Sequence, residues 1–184
     1  MVIWTIVVVG VAVVALAVFI GVYNSLVRLR NEVKNSWAQI DVQLKRRTDL
    51  IPNLIETVKG YMKHEKDVLE NITRARADLM KSDSIKDKAR ASNQLSDTLR
   101  TLFAVSENYP ELKANQNFMM LQEEISGTEN KIAYARQHYN DTVMFYNTKR
   151  EVFPSNIIAG MFKFNQEDLF SAPESEKEPV KVKF

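Results

Sequence analysis

The feature that most constrains this chain is an apolar run at its N-terminus, because residues 2–27 contain no charged side chain. Val2 to Val22 is almost entirely Val, Ala, Ile, Leu and Phe. About 20 apolar residues in a helix, rising 1.5 Å each, cross the ~30 Å hydrocarbon core of a bilayer. Trp4 and Tyr23 flank the run, and aromatic rings favour the headgroup region. The run predicts a transmembrane helix, and we assign residues 1–23 as the anchor.

A cleaved signal peptide is the alternative, because Ala15-Leu16-Ala17 resembles a cleavage site. The run lacks a basic segment before it and continues past these alanines, which favours an uncleaved anchor. The region after the run is rich in Lys and Arg, so the positive-inside rule predicts the N-terminus outside and the C-terminal domain in the cytoplasm. The basic residues expected to contact anionic headgroups, at about 1 kcal/mol each, are Arg28, Arg30 and Lys34.

Glycine and proline are scarce in the rest of the chain. Between residues 25 and 150 only Gly60, Gly127, Pro52 and Pro110 occur. This predicts an all-α protein in which the transmembrane helix is followed by an antiparallel bundle of three long helices and a short C-terminal helix. The chain contains no cysteine, which excludes disulfides and thiolate chemistry.

The first long helix is predicted from apolar residues seven apart, a spacing typical of helix-on-helix packing. One heptad series is Trp37, Leu44, Ile51, Val58, Glu65, Ile72 and Leu79. The other is Val33, Ile40, Arg47, Leu54, Tyr61, Val68 and Ala75. Only Arg47 and Glu65 interrupt these series, and the helix is predicted to end near 82–84.

Two further helices follow from the same reasoning. The second is expected from about Ser84 to Asn108, and Pro110 ends it. The third is expected from about Ala114 to Val152, and its heptad series includes Phe118, Ile125, Ile132 and Tyr139. Pro154 ends it, and we expect Ser155 and Asn156 to cap a short apolar helix.

The predicted lengths do not match, since the second helix covers only the later part of the first. We therefore divide the chain into a stalk (24–54), a bundle (55–164) and a disordered tail (165–184). A stalk with an uncovered apolar series is costly in water. Either the first helix bends back at Pro52, or stalks of several copies pack through Val33, Trp37, Ile40 and Leu44.

Arg47 lies on the apolar series, and burying a guanidinium without a partner costs several kcal/mol. We expect it to pair with the acidic face of the third long helix and so fix the helix register. Pro52 follows five residues later and is expected to kink the helix. The alternative is a surface arginine beside a tolerated kink.

Catalytic motifs are absent from the sequence. The two histidines, His64 and His138, lack the Glu-x-x-His spacing of a di-metal bundle, and no phosphate loop or nucleophile motif occurs. Glu123, Glu124 and Glu129 fit a charged helix face better than a metal site. The net charge of +2 gives no sign of a nucleic-acid partner. We expect no enzymatic activity, no metal and no cofactor.

Three stretches carry a family resemblance: residues 23–65, beginning YNSLVRLRNEV, residues 109–147, beginning YPELKANQNF, and FPSNIIAGMF at 153–162. Together they closely resemble the LemA family of bacterial membrane proteins, over residues 23–164. The resemblance implies one N-terminal transmembrane helix, a helical bundle and no enzymatic activity, and relatives are linked to membrane organisation, including magnetosome membranes. The family's signature positions correspond here to Arg46, Arg47, Asp49, Pro52, Asn53, Glu123, Glu124, Glu129, Asn130, Tyr139, Asn140, Phe153 and Pro154.

The sequence thus favours a non-catalytic, self-associating helical scaffold, anchored by a single pass in the bacterial cytoplasmic membrane. Its expected partners are membrane lipids, further copies of the chain and other membrane proteins. The first alternative is an adaptor for another membrane protein, such as a protease or a sensor, and the second is an enzyme or a metal protein.

Overall fold

The structure is a computed structural model, and it describes residues 1–62 and 64–171. Across this part of the chain there are six helices and no strand. They are α1 (Val2–Lys59), α2 (Lys66–Lys81), α3 (Ile85–Ser106), α4 (Pro110–Lys113), α5 (Gln116–Glu151) and α6 (Ser155–Met161). The all-α class with a long apolar N-terminal helix is therefore confirmed.

Helix α1 has 58 residues and contains both the apolar run and the predicted stalk. Its most apolar window of 18 residues has a mean hydropathy of 3.0 and is 0% buried. By length and composition it is the one helix among the described residues that could cross a membrane. The helix continues through Pro52 to Lys59, so the chain does not fold back at the proline.

The predicted end of the first helix, near residues 82–84, is wrong. Helix α1 ends at Lys59, residues 60–65 form a connection, and α2 begins at Lys66. Glycine is a poor helix former, and Gly60 follows the last helical residue directly. The heptad spacing continued across this break because α2 buries its own apolar residues, Ile72, Ala75 and Leu79, in the same phase.

The other helix limits agree with the sequence to within two residues at α3 and α5. At the start of α3, Ser84 is the N-cap, and its hydroxyl accepts a hydrogen bond of 3.0 Å from the backbone N–H of Asp87. The expected side-chain cap of α6 is wrong. Pro154 is the N-cap residue, it makes no side-chain cap hydrogen bond, and Ser155 is already inside the helix.

The chain divides into two compact units. Unit 1 consists of Met1–Trp37 and His138–Glu167. Unit 2 consists of Ala38–Gln137 and Asp168–Phe184, of which residues 172–184 lie outside the described part. The core of unit 1 is formed by Leu26, Val33, Tyr139, Val143, Tyr146, Ile158, Ala159 and Phe164. The core of unit 2 includes Ile40, Leu44, Ile51, Leu54, Val58, Ile72, Leu95, Leu99, Leu102, Phe118, Ile125 and Ile132.

The predicted stalk is not left uncovered. Val33, Ile40 and Leu44 are 3%, 0% and 3% exposed within a single chain. In unit 1 the ring of Trp37 lies 5.6 Å from that of Tyr139 on α5. The premise of an exposed apolar series is therefore wrong, because Val33 is buried in unit 1 and Ile40 and Leu44 are buried in unit 2.

The start of the predicted disordered tail also differs from expectation. Residues 165–171 make specific contacts, and the rest of the tail lies outside the described residues. The Asn147 side chain donates to the carbonyl of Glu167 at 3.0 Å and accepts from the Glu167 N–H at 3.1 Å. Phe170 is 0% exposed. Because this ring is buried, the charged composition alone predicted the wrong starting residue for the disordered tail.

Candidate functional site

The most distinctive polar site of unit 2 surrounds Arg47 of α1, whose side chain is 0% exposed. One terminal nitrogen, Nη1, donates to Ser96 Oγ at 2.8 Å and to a carboxylate oxygen of Glu129 on α5. The other, Nη2, donates to Ser92 Oγ at 2.7 Å and to the Ser92 carbonyl at 3.2 Å. We call Arg47, Ser92, Ser96 and Glu129 the arginine network. The predicted pairing of Arg47 with the acidic face of the third long helix is confirmed, and the surface-arginine alternative is wrong.

The two serines lie one turn apart on α3, so that both hydroxyls face α1. Ser96 accepts from Arg47 and donates to Glu129 Oε1 at 2.6 Å, which closes a triangle between α1, α3 and α5. Sequence reasoning missed both serines, because serine in a helix carries no periodic apolar signal. Their spacing of four residues on one helix face is the signal that could have found them.

The electrostatics of the network follow from its depth. Burial lowers the pKa of the Arg47 guanidinium from its ordinary value, and the charge of Glu129 and its hydrogen bond oppose that change. The Glu129 side chain is 42% exposed, so the pair has one buried partner and one partner in contact with water. Such a pair holds three helices in one register, since shifting any of them leaves the buried cation without its acceptors.

More exposed ion pairs surround the network in unit 2. Arg46 Nη2 lies 2.6 Å from Glu124 Oε2, with the two side chains 47% and 51% exposed. Lys88 Nζ lies 2.6 Å from Asp41 Oδ1. Two of the signature arginines thus pair with two of the signature glutamates, and all four residues lie on α1 and α5.

The remaining signature positions differ in burial. Asp49, Asn53, Glu123 and Asn130 are exposed. Asn140 is half-buried and makes a side-chain contact within the protein. Pro52 is exposed on α1.

The three residues expected at lipid headgroups behave differently from one another. Arg28 and Lys34 are exposed. The Arg30 guanidinium carbon lies 5.1 Å from the centre of the Phe164 ring, within cation–π distance. Arg30 is therefore engaged inside unit 1, because the C-terminal segment returns along α1.

A groove of about 330 Å³ lies in unit 2 beside the turn between α2 and α3. Its charged lining consists of Asp41, Lys45, Asp49, Asp83 and Lys88. The two lysines offset two of the three carboxylates. Across residues 1–62 and 64–171, no group of three or more His, Cys, Asp or Glu side chains is arranged to hold a metal ion.

Comparison with known proteins agrees with this architecture. The LemA family model matches residues 36–184. A protein named LemA from Metamycoplasma hominis is 29% identical over 164 residues, which cover 89% of this chain and 75% of that protein. The magnetosome proteins MamQ 1 and MamQ 2 of Paramagnetospirillum magneticum are each 21% identical over 184 residues, covering 86% of this chain and 68% of each relative. None of these names carries a catalytic activity. The match to the family model, which includes the whole arginine network, shows that this chain belongs to the LemA family.

Proposed function

We propose that this chain is a non-catalytic scaffold of the bacterial cytoplasmic membrane, anchored by one pass and self-associating, that organises the membrane around it. The observation that carries the proposal is the continuity of α1. One helix of 58 residues contains both the apolar run and buried positions of each helical unit. The apolar run is therefore joined to the folded part by helix, without an intervening flexible linker.

The polar chemistry of unit 2 supports a structural role. Arg47, its most buried charge, donates to protein acceptors on two other helices, and the triangle with Ser96 and Glu129 is closed. A network that fixes helix register suits a rigid scaffold. The name of the MamQ relatives as magnetosome proteins is a second support, since a magnetosome is a membrane-bounded body.

Self-association needs a surface other than the predicted stalk series, because Val33, Ile40 and Leu44 are buried in one chain. We assign it to the apolar run, whose most apolar window of 18 residues is 0% buried. Ala17 and Gly21 lie one turn apart on one face of α1, and small residues at this spacing favour close helix packing in membranes. At about 100° per residue they lie opposite Phe19, which contacts Phe162.

Substitution at this face tests the proposed contact. Ala17→Leu adds bulk where two helices would approach, so the fraction of oligomer in mild detergent should fall at least several-fold. Val18→Leu, a change on a neighbouring face of the same turn, is the matched control and should leave the distribution unchanged. Sedimentation or light scattering of the full chain measures both. An equal oligomer fraction in the two variants would show that the face with Ala17 and Gly21 does not form the contact.

The alternative function is an adaptor that presents another membrane protein, such as a protease or sensor. The unit 2 groove beside the α2–α3 turn favours it, because its mixed charges suit a polar peptide segment. Because the sequence contains no cysteine, a single introduced cysteine is the only thiol of this chain that a cross-linker can react with. A single cysteine at exposed Val42 and a homobifunctional cross-linker in native membranes separate the two functions. A cross-linked band of twice the chain mass supports the scaffold, whereas a band with a foreign protein supports the adaptor.

The same cysteine-free background tests the orientation, which we propose as N-terminus outside and C-terminal domain in the cytoplasm. Arg28 and Lys34 support it, since exposed basic residues after a span favour the cytoplasmic side. A membrane-impermeant maleimide applied to intact cells should not label Val42→Cys and should label it after permeabilisation. Labelling of Val42→Cys in intact cells would show that the orientation is the reverse of the one we propose.

A further inference from the structure

The end of unit 1 that contains α6 presents a row of exposed apolar side chains. Phe153, Ile157 and Met161 follow one another at intervals of four residues and are 78%, 55% and 67% exposed. Phe153 lies in the turn before α6, and Phe162, 46% exposed, directly follows the helix. Single exposed apolar residues are ordinary on a protein surface, but four within ten residues, on and beside one short helix, are an apolar cluster. We call these four residues the apolar ridge.

The opposite face of α6 is fixed to unit 1. Ile158 and Ala159 are 6% and 3% exposed, and Phe164, beyond the helix end, is 5% exposed. The Phe164 N–H donates to the Ala159 carbonyl at 3.0 Å and the Lys163 N–H to the Gly160 carbonyl at 3.3 Å. This is a Schellman ending, with Lys163 in the left-handed region at φ 53°. It turns Phe164 into the core and leaves Phe162 on the outside.

The position of the ridge is set by its contact with α1. The Phe162 ring lies 5.9 Å from that of Phe19 and 4.8 Å from that of Tyr23. Phe19 is in the last turn of the apolar run, and Tyr23 follows it. If residues 2–22 cross the hydrocarbon core, Phe162 lies where that core meets the headgroups.

The charges beside the ridge fit the same boundary. Lys163 follows Phe162 and is exposed, and Arg28 is exposed one to two turns after Tyr23 on α1. Apolar side chains at the acyl boundary with cations beside them are the pattern of a segment that lies in an anionic membrane interface. The cations are too few to hold the segment there alone, but α1 already places it at the surface.

We propose that α6 and its flanks are a second membrane contact, in which the apolar ridge inserts into the boundary between headgroups and acyl chains of an anionic bilayer. The inference rests on the proposed function, because it requires α1 to be anchored in a membrane. With the span and the ridge both in lipid, unit 1 is fixed to the membrane at two places, which restricts its rotation about α1. A scaffold held in this way presents a defined face to its neighbours.

Depth-dependent quenching in vesicles tests the proposal with the full chain. Single cysteines at Ile157, Met161, Val11 and Met144 carry an environment-sensitive fluorophore in vesicles of phosphatidylcholine and phosphatidylglycerol. Met144 is the matched control, because it is an exposed methionine of unit 1 that lies seven residues, about 10 Å, before the end of α5 at Glu151. Val11 reports on the span itself.

We expect lipids with a quencher at the top of the acyl chain to reduce the fluorescence of labels at 157 and 161 at least two-fold, and aqueous iodide to leave it nearly unchanged. The Met144 label should behave in the reverse way. Quenching at Val11 without quenching at 157 and 161 would overturn the second contact and leave the anchor standing. No quenching at Val11 by lipids with a quencher near the end of the acyl chain would instead remove the anchor and the proposed function with it. A shielded ridge label that neither lipid nor iodide quenches would mean that protein, such as a second copy, covers the ridge, and would also overturn the proposal.

Discussion

The arginine network yields a prediction whose size follows from burial. Glu129→Ala removes the only carboxylate that Arg47 contacts among the described residues and leaves a guanidinium that is 0% exposed. Breaking a buried pair in this way costs about 3–5 kcal/mol. Because Glu129 is 42% exposed, water can approach its position, and we expect the lower end, about 3 kcal/mol. At about 2–4 °C per kcal/mol for a chain of this size, the Tm should fall by about 6–12 °C.

The matched control is Glu124→Ala, the same substitution on the same helix. Glu124 also pairs with an arginine of α1, at 2.6 Å, but both side chains are about half exposed. Exposed pairs contribute about 0–1 kcal/mol, so this variant should lose less than about 4 °C. Thermal unfolding of the full chain in detergent, followed by circular dichroism at 222 nm, measures both variants.

A second variant separates loss of the pair from loss of the buried charge alone. Arg47→Met combined with Glu129→Ala removes the charge together with its partner, and replacing a buried pair by apolar groups is often close to neutral. The double variant should recover at least half of the stability that Glu129→Ala loses. Equal effects of Glu129→Ala and Glu124→Ala, or a double variant less stable than Glu129→Ala, would refute the account of the network.

Three further predictions concern other parts of the fold. Burial, and then the charge of Glu167, raise the pKa of the Tyr146 phenol, so the phenol's contribution to stability is complete below pH ~10 and is lost as the pH rises further. Tyr146→Phe loses the 2.9 Å hydrogen bond to the Asn165 carbonyl and should be about 1 kcal/mol less stable at neutral pH. Its urea midpoint should also decline less steeply than that of the unchanged protein between pH 9 and 11. Phe170→Ala should lower the free energy of unfolding in urea by about 3 kcal/mol, whereas Leu169→Ala, at the exposed neighbouring residue, should lower it by less than about 0.5 kcal/mol. Equal effects of the two substitutions would show that residues 165–171 are not part of the fold. Gly60→Ala meets no neighbouring atom and no positive φ, so it should stabilise the chain by about 0.4–1 kcal/mol in the same assay, and a loss would show that the helix break needs glycine.

The parts of the fold that the sequence predicted are those governed by local chemistry. Ser84 marks the start of α3 because a hydroxyl there satisfies a free N–H, and Pro110 and Pro154 limit helices because proline lacks an N–H. The partner of Arg47 was predictable for a similar reason. A cation on a buried face needs an acceptor, and α5 carries the acidic residues that can supply one.

The parts that the sequence did not predict depend on where distant segments return. The break after Lys59 was hidden because α2 happens to continue the heptad phase of α1. Burial of Val33 and Ile40 could not be inferred from the spacing of apolar residues in α1, because it depends on which distant segments pack against each of them. The ordered contacts of Phe170 lie in a segment whose composition is polar and charged, and a single aromatic ring does not change that composition enough to be noticed.

The central claim is a membrane-anchored scaffold that associates with its own copies through the apolar run. The most direct test is the mass of the full chain in mild detergent, corrected for bound detergent, beside a form that lacks residues 1–22. This shorter form keeps Leu26 and every buried residue of α1, so its helical units should fold. The account predicts a defined multiple of 21.2 kDa for the full chain and a single chain for the shorter form. A full chain that remains a monomer at every concentration would contradict it.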